Sequence, residues 1–196
     1  MELQRDNAIG IDLDDTIANT AYLALDYMRD NYGVKAGMDD WTEFDLKKLF
    51  GLSNEQIMKM YFDLWSDHRR ISIVDPKITD ITEALSKRYR LYLVTATVGS
   101  EKSYTKWLQE HNIKFDGIIR VKHSIEKVIV GSNHGINYYI DDHPIVAKSV
   151  SEAGRQALLF RRSWNRSFAE ANKDPLIKVV NSWAEIGKFF SDTKPK

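Results

Sequence analysis

The sequence predicts an α/β fold with five parallel strands in one sheet and a small helical cap inserted after the first strand. Segments with the apolar spacing of helices alternate with short apolar runs, which is the pattern of a parallel sheet with helices on both faces. The interval between the strands that end near Asp12 and begin near Leu91 far exceeds the dozen or so residues that a parallel crossover needs. We therefore assign residues 1–18 and 76–196 to the core and residues 19–75 to the cap.

The first strand is predicted at residues 8–12, where an apolar run ends in a carboxylate, as in a central strand covered on both faces. From Ile17 to Tyr32 apolar residues recur with the spacing of one helical face, and Gly33 is well placed to end that helix. A second cap helix begins at Ser53, because Gln56 three residues later completes a capping box.

The rest of the chain supplies four more strands, separated by helices. These strands are predicted at residues 91–94, 117–121, 137–140 and 156–160. The helices between and after them are indicated by an apolar stripe after Pro76, by Ser100 as a cap, by Pro144 at a first helical position and by Ser182 with Glu185 as a capping pair.

The composition excludes several classes of function. The 196 residues include 28 basic and 28 acidic residues, so the formal charge is zero and we expect neither stable nucleic-acid binding nor attraction to an anionic membrane. The chain has no cysteine, which excludes disulfides, thiolate metal sites and cysteine nucleophiles. The N-terminal segment is polar and no run reaches membrane-spanning length, so we expect a cytoplasmic protein, either a monomer or a homodimer.

Polar residues end three of the predicted strands: Asp12, Thr95 and Asp141. Parallel strands end at one edge of the sheet, and ligands bind there at the point where strand order reverses, so we expect these side chains to lie together. Asp14 and Asp142 add two more carboxylates beside them. Such a set of hard oxygen donors suits Mg²⁺, and Mg²⁺ in turn suits a phosphate ligand.

Three segments resemble the ordered motifs of the haloacid dehalogenase (HAD) superfamily of phosphohydrolases: DLDDT at residues 12–16, LVTA around Thr95 and IDD at residues 140–142. The IDDHP continuation also resembles the 5'(3')-deoxyribonucleotidases and their bacterial homologues. This resemblance implies a three-layer, Rossmann-like core with a cap. It also implies a Mg²⁺-dependent phosphomonoester hydrolase whose substrate is a (deoxy)nucleoside monophosphate. The motifs extend over residues 8 to about 160.

The resemblance also implies a role for each motif residue. Asp12 would be the nucleophile that becomes a transient aspartyl phosphate. Asp14 would protonate the leaving oxygen and then deprotonate the hydrolytic water, and Thr95 would donate its hydroxyl to the phosphoryl group. The metal would take a carboxylate oxygen of Asp12, the backbone carbonyl of Asp14 and a carboxylate from Asp141 or Asp142.

A lysine that neutralises the phosphate is the family's remaining requirement. Lys122 and Lys127 both lie between the third and fourth predicted strands. The segment EKVIVGSN at residues 126–133 resembles the family's arrangement and favours Lys127. The interval from there to Asp141 is longer than is usual in the family, so the choice between the two lysines stays open.

Other polar and aromatic residues have structural alternatives. In the predicted cap, Trp41, Phe44 and Trp65 are candidates for stacking on a nucleobase, although the cap also needs aromatic residues for its own core. Asp15 is expected to cap the following helix or hold its turn, and His143 to be a turn residue. The arginines of the segment FRRSWNR, residues 160–166, are expected to form a solvated basic loop.

Three alternative functions remain. One is a HAD phosphatase for another small metabolite, because the cap selects the substrate. Another is a non-catalytic, phosphate-binding regulatory module on the same fold, against which the complete set of Asp12, Asp14 and Thr95 argues. The third is a signalling receiver domain, in which the phosphorylated aspartate ends the third strand; here that strand ends near Val121 without one.

Overall fold

Six parallel strands form the central sheet of the structure, a computed structural model that describes residues 7–193. Residues 1–6 and 194–196, at the two ends of the predicted core, lie outside the described residues. The strands are β1 (Ala8–Ile11), β4 (Arg90–Thr95), β5 (Gly117–Arg120), β6 (Ile136–Asp141), β7 (Gln156–Phe160) and β8 (Ile177–Val180), in the spatial order β5-β4-β1-β6-β7-β8. A separate antiparallel ribbon pairs β2 (Ala18–Asn19) with β3 (Ser72–Ile73).

Helices cover both faces of this sheet. The α-helices of residues 7–193, including those that do not lie on the sheet, are α1 (Ala21–Tyr32), α2 (Leu46–Phe50), α3 (Asn54–Ser66), α4 (Ile78–Ser86), α5 (Glu101–Glu110), α6 (Glu126–Ser132), α7 (Pro144–Glu152), α8 (Arg166–Ala171) and α9 (Trp183–Asp192). Apolar residues of α4, α5 and α9 share one buried cluster with the sheet, and those of α6 and α7 share another. Across residues 7–193, no helix has both the length and the apolar character that crossing a membrane requires.

The sheet has six strands, so the predicted number of five is wrong. All five predicted strands form, with ends that differ by at most one residue. The missed strand, β8, pairs in parallel with β7 at the edge of the sheet, from Ala157 opposite Ile177 to Phe160 opposite Val180. Its sequence, IKVV, is short and carries the exposed Lys178, so it lacks the continuous apolar run that marks a central strand.

The first helix begins at Ala21 and not at Ile17, because residues 18–19 are used in the ribbon. Asp15 holds the start of this helix. Its carboxylate accepts a hydrogen bond from the backbone N–H of Ala21 at 2.8 Å and another from the Thr20 hydroxyl at 3.1 Å. The expectation that Asp15 caps the helix or holds its turn is confirmed.

The helical segment between β2 and β3 has an apolar cluster of its own. The members include Ala24, Met28, Trp41, Met60 and Leu64, together with Trp164, which follows β7 of the sheet. The ribbon joins the two ends of this segment, close to the boundaries predicted for the cap at residues 19 and 75. The division of the chain into a core and a cap stays a prediction.

Candidate active site

The candidate site lies where the order of the strands reverses, between β1 and β6. Asp12 directly follows β1, and its backbone N–H donates to the carbonyl of Ile140 at 2.9 Å. Asp141 ends β6, Asp142 follows it, and Thr95 ends β4 on the other side of β1. The structure thus brings together the three predicted strand ends at the edge where open α/β sheets bind ligands.

Lys127 lies among these carboxylates. Its ammonium group is 2.8 Å from Asp12 Oδ1 and 2.8 Å from Asp141 Oδ2, and its side chain is 2% exposed. Helix α6 presents this lysine, and the backbone carbonyl of Lys127 accepts a bond from the Tyr139 hydroxyl at 3.3 Å. Lys122 is exposed, so Lys127 is the one of the two candidates that faces the site.

The electrostatics of the site favour an additional cation. Burial raises the pKa of Asp12, Lys127 opposes this rise, and Asp141 adds to it. Burial lowers the pKa of Lys127, but the attraction of Asp12 and Asp141 outweighs it and the pKa is raised overall. Burial and then repulsion from Asp141 raise the pKa of Asp142 well above its usual range. Lys127 alone does not balance the negative charge of the three buried carboxylates. A second cation would reduce the repulsion that remains between them.

Three carboxylates fit a divalent metal ion. Asp12, Asp141 and Asp142 each offer an oxygen atom, and these atoms lie within 4.8 Å of one another. A set made only of carboxylate oxygens matches the preference of Mg²⁺ and not that of zinc or copper. The backbone carbonyl of Asp14, the fourth predicted ligand, stays a prediction.

The loop after β7 holds Asp142 in place. Trp164 donates its indole N–H to Asp142 Oδ2 at 2.8 Å. The side-chain amide of Asn165 donates to the backbone carbonyls of Asp142 and Phe160, each at 2.8 Å. The sequence did not identify these two residues as part of the site. The available signal was a tryptophan and an amide placed just after a strand that ends at the same edge.

The expectation that the arginines of this loop are all solvated is wrong for one of them. Arg162 is partly buried, its Nε donates to the backbone carbonyl of Asp15 at 2.8 Å, and its guanidinium lies 4.4 Å from the centre of the Phe160 ring. It is therefore a structural residue and not a solvated one. Arg161 forms an ion pair with Glu170 at 2.6 Å.

A cavity of about 400 Å³ opens above the carboxylates. Asp12, Asp14, Thr95 and Lys127 lie in its wall on the side of the sheet. Residues of the helical segment form the opposite wall, namely Trp41, Phe44, Asp45, Leu46, Lys47, Ile57, Met58 and Tyr61. A phosphate group bound to the carboxylate side would thus place the rest of its ester against a mainly apolar wall.

Two of the three aromatic residues predicted to contact substrate line this cavity. Trp41 is buried against Trp164, with ring centres 5.1 Å apart, and Phe44 is 44% exposed and stacks on His143 at 3.7 Å. The third, Trp65, is fully buried and does not line the cavity, which argues against direct contact with substrate. Its indole N–H instead donates to Asp14 Oδ1 at 3.0 Å.

Tyr61 is a cavity residue that the sequence did not single out, because its helical spacing is also that of a core residue. Burial raises its pKa well above the usual range, and repulsion from Asp15 and Asp14 adds to the effect. The Tyr61 hydroxyl, like that of an unperturbed tyrosine, is protonated at neutral pH. It is available as a neutral hydrogen-bond donor to an anionic ligand.

His143 caps helix α7, and its Nδ1 accepts the backbone N–H of Ile145 at 3.2 Å. Burial lowers its pKa to about 4, so the imidazole is neutral at pH 7. Because an unfolded histidine titrates near pH 6.5, the contribution of His143 to stability is complete above that pH and is lost as the pH falls towards 4.

His143→Asn tests this pH dependence, because asparagine also caps helices but does not titrate. We expect the wild-type chain to lose about 1–3 kcal/mol of unfolding free energy relative to the variant between pH 7 and pH 4. Urea unfolding of both proteins in a chelator measures this difference. A difference that is independent of pH would contradict the buried, neutral state of His143.

Comparisons with known proteins point to one fold. No protein-family model matches the chain. A protein of Halalkalibacterium halodurans named Putative nucleotidase BH1399 is 23% identical over 193 residues, which cover 94% of this chain and 93% of that protein. A solved structure of the haloacid dehalogenase-like family protein SP0104 from Streptococcus pneumoniae has a TM-score of 0.68 at 20% identity, over 93% of this chain and 97% of that one. The HAD-hydrolase YfnB of Bacillus subtilis, described as bound to magnesium, has a TM-score of 0.61 at 16% identity, over 96% and 100% of the two chains.

Proposed function

We propose that this chain, which has the fold of the haloacid dehalogenase-like hydrolases, is a magnesium-dependent phosphomonoester hydrolase. The observation that carries the proposal is the meeting of Asp12, Asp14, Thr95 and Lys127 in the wall of one cavity. A buried nucleophile, a candidate proton donor, a hydroxyl and a fixed positive charge are the groups that phosphoryl transfer through a covalent intermediate needs. The names of the similar proteins agree with this proposal.

The proposed reaction has two steps. In the first, a carboxylate oxygen of Asp12 attacks phosphorus, the bond from phosphorus to the ester oxygen breaks, and Asp14 gives its proton to the departing alcohol. In the second, Asp14 takes a proton from a water molecule whose oxygen attacks the same phosphorus. Inorganic phosphate leaves and the Asp12 carboxylate is restored.

Lys127 and Thr95 act on the phosphoryl group. The charge of Lys127 is fixed by its two carboxylate partners, and it offsets the negative charge of the phosphate oxygens. The Thr95 Oγ1 already accepts the backbone N–H of Thr97 at 3.0 Å, so the proton of its hydroxyl is left for another acceptor. A Mg²⁺ ion held by Asp12, Asp141 and Asp142 would supply further charge stabilisation at the phosphoryl oxygens.

For the substrate we propose a (deoxy)nucleoside monophosphate. The aromatic and apolar wall that includes Trp41, Phe44 and Tyr61 supports this choice, because aromatic side chains stack on every base. The name of the Halalkalibacterium relative agrees with it. The proposal includes a cytoplasmic location, which rests on the sequence features described above, and it is compatible with either a monomer or a homodimer.

A substrate panel tests the proposed class directly. Purified protein in Mg²⁺ is offered deoxynucleoside monophosphates alongside sugar phosphates and small organic phosphates, and kcat/KM is measured for each. We expect the highest values for nucleotides. A preference for a compound without an aromatic base would reject the nucleotidase assignment and keep the wider class of HAD phosphatase.

Phe44→Ala tests base stacking. Loss of one stacking partner costs about 1–3 kcal/mol, so we expect the KM for a deoxynucleoside monophosphate to rise by about 5-fold or more. A small alkyl phosphate should keep its KM, because it does not reach the aromatic wall. Phe62→Ala is the matched control, since Phe62 is exposed on α3 and does not line the cavity. Equal effects of the two variants on nucleotide KM would contradict the stacking role.

A further inference from the structure

Trp65 makes a hydrogen bond that neither the folding of the cap nor the binding of substrate explains. Its indole N–H donates to Asp14 Oδ1 at 3.0 Å, and the two residues come from α3 and from the turn after β1. Asp14 is the residue assigned to proton transfer in the proposed reaction. A buried hydrogen-bond donor directed at a catalytic carboxylate restricts which of the two carboxyl oxygens carries the proton.

The indole of Trp65 is held rigidly by the core. Its ring packs edge-on against Tyr104 and Trp107 of α5, with ring centres 6.2 and 6.0 Å away. The loop after β4 lies directly on it: a Cβ atom at Gly99 would be 2.5 Å from Trp65 Cγ, so this position requires a glycine. The N–H of Trp65 therefore has a fixed direction, and Asp14 keeps an oxygen atom in position to accept this hydrogen bond.

An indole N–H can only donate, so the oxygen that it contacts must remain an acceptor whether or not Asp14 is protonated. The hydroxyls of Thr97 and Thr20, which also bond to Asp14, can either donate or accept and so adapt to both states. Among these three partners, only Trp65 distinguishes one carboxyl oxygen of Asp14 from the other.

We propose that Trp65 is a positioning residue that reserves Asp14 Oδ1 as an acceptor, so that Asp14 Oδ2 carries the proton that is transferred. This inference rests on the proposed function. In the first step the proton on Oδ2 moves to the ester oxygen as its bond to phosphorus breaks, while Oδ1 keeps the bond from Trp65. In the second step Oδ2 receives a proton from water.

The dependence of activity on the leaving group tests this role. Trp65→Phe keeps an aromatic ring but removes the N–H. An alkyl phosphate needs protonation of its leaving oxygen, whereas 4-nitrophenyl phosphate has a good leaving group and needs little. We expect kcat/KM to fall about 10- to 100-fold for the alkyl ester and less than about 3-fold for the nitrophenyl ester.

Trp107→Phe is the matched control, because the indole of Trp107 lies in the same cluster but donates to the backbone carbonyl of Ile71 at 2.8 Å. It should lower both kcat/KM values equally or leave both unchanged. An equal effect of Trp65→Phe on the two esters, or a gain in activity with the alkyl ester, would overturn the proposal. Absence of Mg²⁺-dependent turnover of either ester by the wild-type chain would instead reject the proposed function.

A measurement on the otherwise wild-type chain covers the case in which Trp65→Phe does not fold. The chain has five tryptophans, whose indole N–H signals are observed by NMR after ¹⁵N labelling. Two indole signals of the wild-type chain, those of Trp65 and Trp164, should be displaced by a carboxylate acceptor. We expect Asp14→Ala to shift one of these two signals and to leave that of Trp107 unchanged. If no indole signal responds to Asp14→Ala, the hydrogen bond is absent and the proposal fails.

Discussion

Asp12→Asn is expected to lower kcat for phosphomonoester hydrolysis by about 10⁴- to 10⁶-fold, the range seen when a catalytic nucleophile is removed. An amide oxygen is a poor nucleophile and does not form the acyl phosphate. Steady-state assays of an aryl phosphate in Mg²⁺ measure the loss. Asp39→Asn makes the same chemical change at an exposed position between β2 and β3 and should leave kcat unchanged.

The fold of the Asp12→Asn variant should remain intact. Burial and Asp141 raise the pKa of Asp12, so keeping Asp12 ionised in the folded chain lowers the free energy of unfolding. In the variant, Lys127 keeps its second partner, Asp141, at 2.8 Å. We therefore expect a free energy of unfolding at pH 7 within about 1 kcal/mol of the wild-type value, or above it. Retained turnover would reject the role of Asp12, and an unfolded variant would contradict this description of its surroundings.

Lys127→Met is the second substitution with a large expected effect. Removing the cation leaves Asp12 and Asp141 buried without it, and breaking a buried ion pair in this way costs about 3–5 kcal/mol. Urea unfolding in a chelator should show a loss of that size. Because Mg²⁺ would bind the same carboxylates, adding it should restore part of the lost stability.

Lys122→Met is the control for this substitution. Lys122 is exposed and precedes the same helix, so we expect less than about 0.5 kcal/mol of change and normal activity. The pair of variants also tests which lysine neutralises the phosphate. A larger loss of stability or activity in Lys122→Met than in Lys127→Met would contradict the assignment made from the structure.

The edge of the sheet that holds the candidate site was predictable because it follows from strand direction alone. A short, continuous apolar run identifies a buried strand, and parallel strands end at the same edge of the sheet. Asp12, Thr95 and Asp141 could therefore be placed together before any contact between them was known. The edge strand β8 was not predictable in the same way. It is short and contains the exposed Lys178, so its sequence resembles that of a loop until β7 is there to pair with it.

The contacts that hold the site depend on the path of the chain in three dimensions. Trp65 lies on a helical apolar stripe, which predicts burial but does not say that its N–H meets Asp14, 51 residues earlier. Trp164 reaches back 22 residues to Asp142, and Asn165 fixes the same residue through its backbone. Such bonds between distant segments leave no periodic signal in the sequence, so the position of Asp12 was predictable and the residues that hold the site were not.

The central claim, that phosphoryl transfer passes through Asp12, is tested most directly by trapping the intermediate. The wild-type chain is mixed with a phosphomonoester in Mg²⁺, quenched rapidly in acid and digested, and the peptides are mapped by mass spectrometry. The structure predicts one added phosphoryl group on Asp12 and none in the Asp12→Asn variant. A phosphoryl group on another residue, or rapid turnover with no phosphorylated enzyme at any quench time, would contradict this mechanism.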